Sequence, residues 1–91
     1  MMRALQTGRP APKPGLWVHV GGARVIDLRP NRGDKGAQEA LRHSLEMGTA
    51  AEQDPKRVSF YETSLDGYRY YFHVAPSRPP RVYLLARWPE P

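Results

Sequence analysis

The chain reads as an α+β protein of order ββαβββ, with one helix packed on an antiparallel sheet of about five strands. Three observations predict this. A Gly21-Gly22 pair separates two short apolar stretches, a single segment carries helical periodicity, and the C-terminal third alternates apolar side chains with Tyr, Arg and His. With 91 residues and 40 % hydrophobic composition, one core and one domain are expected. No apolar run reaches the ~20 residues of a membrane span. The absence of cysteine excludes disulfides, thiolate zinc sites and cysteine nucleophiles.

Met1–Gly15 reads as an extended basic arm. Pro10, Pro12 and Pro14 alternate along it, with Arg3, Arg9 and Lys13 beside them. No apolar stretch of secretory type occurs there, so a cytoplasmic location is the expectation. Residues 16–91 form the domain. Leu16–Arg29 reads as a β-hairpin turning at Gly21-Gly22, because glycine admits the positive φ that both turn positions need. That hairpin is apolar on both faces, and its Trp17 and Ile26 side suggests a homodimer contact.

Asp34 is a suitable N-cap for a helix over Lys35–Met47, with Ala37, Ala40, Leu41, Ser44 and Leu45 on one stripe. Gly48 follows as a C-cap glycine. Glu39 with His43, and Arg42 with Glu46, stand four apart on the outer side. Thr49–Pro55 reads as a connector. Arg32-Gly33-Asp34 spells an integrin-type tripeptide and is taken as coincidental beside a helix cap.

Val58–Trp88 carries strands around Leu65-Asp66-Gly67 and around the Pro76–Pro80 loop. A two-residue turn would place Phe60 opposite His73 and mix the faces. A bulged three-residue loop instead aligns Val58 with Val74, Phe60 with Phe72 and Glu62 with Tyr70. In that register Val58, Phe60, Tyr70, Phe72, Val74, Val82, Leu84 and Ala86 make the core. The opposite face carries Tyr61, Arg69, Tyr71, His73, Arg81, Tyr83 and Arg87, the candidate site.

The charge supports an anionic partner. Fourteen Lys+Arg, eleven of them Arg, stand against nine Asp+Glu, and the net charge of +5 is concentrated at the two ends of the chain. Rings beside guanidinium groups suit single-stranded RNA or DNA, where bases stack and phosphates pair with arginine. The same face suits a protein partner with an acidic surface, as in small phage or mobile-element inhibitors and adaptors, because Tyr and Arg also dominate protein interfaces. A plain solvated sheet face is the third reading. No metal or cofactor is called for: His19, His43 and His73 lie on separate elements. No catalytic residue is assigned on the residues alone.

The run DGYRYYFHV followed by RVYLLARW resembles the last strands of RelE/ParE-type toxins. The resemblance implies a ribonuclease acting through Arg69, His73, Arg81 and Tyr83. It covers only the stretch 66–88, and the Gly-Gly hairpin with one helix departs from that family's single strand and helical pair.

Overall fold

The computed structural model describes residues 15–30 and 35–91. The arm up to residue 14, the proposed Asp34 cap and the Arg32-Gly33-Asp34 tripeptide lie outside these. The elements are β1 (Leu16–Val18), β2 (Arg24–Asp27), α1 (Lys35–Met47), β3 (Thr49–Gln53), β4 (Phe60–Leu65), β5 (Tyr68–Ala75) and β6 (Arg81–Pro89). They form one helix on a six-stranded sheet of order β1-β3-β4-β5-β6-β2. No helix among the described residues is long and apolar enough to cross a membrane.

The helix has the expected bounds and stripe. Ala37, Leu41 and Leu45 are buried against the sheet, and Gly48 closes the helix with φ 93°. Its outer polar residues pair differently from the four-apart expectation. Arg42 bonds Glu39, three residues back, and Glu46 accepts from the Gly22 amide at 3.0 Å. The core joins α1 to Val25, Ala51, Tyr70, Phe72, Val82 and Leu84.

Three expectations are corrected. First, Leu16–Arg29 is not a hairpin. β1 pairs antiparallel with β3, while β2 pairs parallel with β6, so the two strands occupy opposite edges of a mixed sheet. The Gly21-Gly22 turn exists, but it steers the chain past the end of α1, where the Val20 amide bonds the Leu45 carbonyl at 3.0 Å. Trp17 and Ile26 therefore share no hairpin. Second, Thr49–Gln53 is a strand rather than a connector, which raises the strand count to six. Its Thr-Ala-Ala-Glu-Gln sequence has little strand propensity, and pairing on both sides imposes the conformation.

Third, the β4–β5 register is the two-residue one. Leu65 pairs with Tyr68 and Phe60 with His73, around Asp66 (φ 51°) and Gly67 (φ 81°), the paired positive φ values of a type I′ turn. Tyr61, Thr63 and Leu65 consequently face the helix, while Phe60 and Glu62 face away. Thr63 is tolerated inside because its hydroxyl donates to the Ala50 carbonyl at 2.7 Å and lies 3.1 Å from that of Thr49. Val58, expected in the core, is 80 % exposed.

The sheet cannot be flat. Six strands spaced ~4.8 Å apart would separate the outermost pair by about 24 Å. The chain from Val18 to Arg24 covers at most about 21 Å even fully extended. The sheet therefore coils toward α1, and the face away from the helix is convex.

Candidate nucleic-acid interface

The convex face is organised by strand register. Phe60 of β4, His73 of β5, Tyr83 of β6 and Ile26 of β2 fall into one row across the sheet. The Phe60 and His73 rings are stacked with centroids 4.2 Å apart and planes at 22°, and His73 and Tyr83 are 6.2 Å apart at 15°. The Arg57 guanidinium lies 5.2 Å from the Phe60 centroid, a cation–π contact at the end of the row.

On one side of this row Arg24 and Arg81 are register partners on parallel strands, both exposed. Among the described residues neither has a carboxylate partner. Like charges side by side repel, so this pair is favoured by an anion between or above them.

On the other side of the row the charges are satisfied internally. Arg69 donates to Glu62, Glu52 and Ser64, and its side chain is only 19 % exposed. Burial works against its charge, but the bonds to Glu62 and Glu52 prevail and hold the guanidinium above its usual range. Tyr71 donates its hydroxyl to Asp54. That bond, with the Lys56 amide, holds the Asp54 carboxyl below its ordinary value, and the same bond pushes the Tyr71 phenol up. This half of the face is structural and mildly acidic.

His73 is held in place on several sides. Its Nδ1 lies 3.0 Å from the Ser59 carbonyl, and since a carbonyl only accepts, Nδ1 carries the proton. Ser59 reaches this position with φ 70°, a left-handed conformation that a β-carbon disfavours. The same carbonyl accepts the Val74 amide at 3.0 Å. Nε2 has no partner among the described residues, and no buried side-chain nitrogen or oxygen lacks one, so Nε2 meets solvent.

Five of the seven sequence-derived candidates thus lie on one face: Arg69, Tyr71, His73, Arg81 and Tyr83. Two do not. Tyr61 points to the helix side, its ring 5.7 Å from that of Phe72. Arg87 is also on the helix side, its guanidinium 3.7 Å above the Tyr68 ring and its Nε donating to the Tyr70 hydroxyl at 3.2 Å. A bulge opposite Tyr71/Phe72 inverts the alternation of β6 beyond Leu84, which moves Arg87 away from Arg69 and sets Trp88 opposite Arg69 instead. The like-charge Arg69/Arg87 pair expected from simple alternation is therefore absent.

Sequence reasoning missed Phe60, Arg57 and Arg24 as members of this face, and read Ile26 as a dimer contact beside Trp17 rather than as part of this row. Phe60 was hidden by the register choice, and Ile26 and Arg24 by the assumed hairpin. The Asp66-Gly67 dipeptide, a strong type I′ signal, was the available clue to Phe60. The four residues implied by the toxin resemblance, Arg69, His73, Arg81 and Tyr83, all lie on the convex face, although Arg69 is committed to its carboxylates. Among the described residues no three His, Asp or Glu side chains converge as metal ligands. The chain matches no protein-family model, no curated protein and no solved structure.

Proposed function

We propose that the protein binds single-stranded nucleic acid, RNA or DNA, on the convex face and without catalysis. The observation that carries this reading is the row Phe60–His73–Tyr83 bordered by the unpaired Arg24 and Arg81. The stacked rings leave their outward edges as an apolar strip along which bases can pack, and guanidinium forks on its border match phosphate. A convex face splays its side chains outward, which suits a flexible strand better than a stiff duplex.

The test is fluorescence polarisation with single-stranded and duplex oligonucleotides across a salt series. Single strands should bind more tightly, and affinity should fall steeply as salt rises. Each lost single-strand phosphate contact lowers the log–log slope by about 0.7, so Arg24→Ala with Arg81→Ala should reduce it by about 1.4. Absence of binding at low salt, or a slope unchanged in the double variant, refutes the assignment. The second reading is a protein partner with an acidic surface, whose carboxylates would meet Arg24 and Arg81. That reading requires capture of one protein and no oligonucleotide binding.

A further inference from the structure

His73 is the one titratable group in the row that is both fixed in orientation and open at one nitrogen. We propose that His73 is a phosphate contact whose Nε2 takes up a proton when nucleic acid binds, so that affinity rises as pH falls. This rests on the nucleic-acid reading above and deepens it. The imidazole is clamped by the Phe60 and Tyr83 rings and by the Ser59 carbonyl at Nδ1. Protonation therefore needs no ring flip and no loss of the Ser59 bond: Nδ1 already donates, and the added proton makes Nε2 a second donor.

The groups facing it define what the free protein does with that charge. Arg57 lies over Phe60 on the β4 side, Glu62 stands next along β4, and Tyr71 with its Asp54 partner flanks it on β5. Tyr83 and Arg81 stand on β6, one directly opposite and one diagonal, and Arg24 lies beyond on β2. Arg69 on β5 is neutralised by Glu52 and Glu62. A phosphate seated among Arg24, Arg81 and Nε2 favours a positive charge on the imidazole. Histidine is the side chain that titrates between pH 5 and 8, so the coupling falls in an accessible range. Strain at Ser59, located where it orients this ring, fits a positioning device.

The probe is an unphosphorylated, tetramethylrhodamine-labelled oligo(dT) of about 12 nucleotides, a length that spans the face. Neither thymine nor a phosphodiester gains or loses a proton between these pH values. Wild type should bind roughly tenfold more tightly at about pH 5.5 than at pH 8, the factor that one unit of pKa displacement gives. Calorimetry near pH 6.5, in two buffers of different ionisation enthalpy, should show net proton uptake. His73→Gln keeps a donor toward Ser59 but removes a ring of the row, so it should bind more weakly than wild type at both pH values and should lose the pH response. His19→Gln and His43→Gln, away from the row, should keep the response. Equal affinity at both pH values, or a response that survives His73→Gln, overturns this proposal and leaves the nucleic-acid reading standing. Absence of oligonucleotide binding at either pH overturns both.

Discussion

The Tyr71 hydroxyl donates to the Asp54 carboxylate, joining β5 to the loop between β3 and β4. The bond lowers the carboxyl and raises the phenol, so it has two pH limits. A lowered carboxyl contributes stability above its unfolded value, lost as pH falls through the folded one. A raised phenol contributes below its unfolded value, lost as pH rises through the folded one. Tyr71→Phe should therefore be less stable than wild type across the neutral range and converge with it in acid. Thermal melts at pH 7 and pH 3 check this, and ultraviolet titration should show Tyr71 ionising late. A constant difference down to pH 3 would sink the assignment.

Arg69 separates two carboxylates whose backbones are register partners, Glu52 and Glu62. Arg69→Ala leaves them facing each other on neighbouring strands. The expected loss is about 1 kcal/mol, discounted because both glutamates are partly exposed. Chemical denaturation of the pair of proteins at neutral pH measures it.

The buried hydroxyl pair has a direction. Thr63 spends its proton on the Ala50 carbonyl, so Thr49 must donate to Thr63. Thr63→Val strands the Thr49 proton in the interior and should cost about 1–3 kcal/mol. Thr49→Val leaves the Thr63 bond intact and should cost less. Adding Thr49→Val to Thr63→Val should recover part of the loss, giving a coupling that a double-mutant cycle resolves.

At Gly67 a β-carbon would meet nothing within 4 Å, so only the φ of 81° opposes substitution. Gly67→Ala should cost about 1 kcal/mol through backbone strain alone. Asp66→Asn should be close to neutral, since Asn-Gly suits the same turn. Urea midpoints for the two variants separate these outcomes.

What the sequence disclosed was local periodicity, and what it concealed was pairing between distant segments. The helix, its Ala37/Leu41/Leu45 stripe and the Gly48 cap were legible because successive determinants lie about one turn apart along a single segment. β5 was likewise legible, its Tyr70/Phe72 side buried as expected and its Arg69/Tyr71/His73 side turned away. The parallel β2–β6 pair was not, since a Gly-Gly turn signals a reversal without saying which strand receives the chain. The faces of β4 were misjudged by putting the alignment of Phe60 with Phe72 above the Asp66-Gly67 turn signal, although that turn, with positive φ at both residues, goes with the two-residue register. Arg87 was misplaced by a single extra residue in β6, invisible to any two-residue period.

The link between β1 and β2 works like a short tether. With a turn at Gly21-Gly22 it joins the two edge strands of the bent sheet, so its length limits how far the sheet can open and the outer rings can fan. Inserting two glycines after Gly22 should loosen the tether without altering any residue of the outer face. Affinity for a single strand should then change while the core melts almost as before. On the proposed reading, the length of this link tunes the grip from behind, through a segment that does not line the binding face.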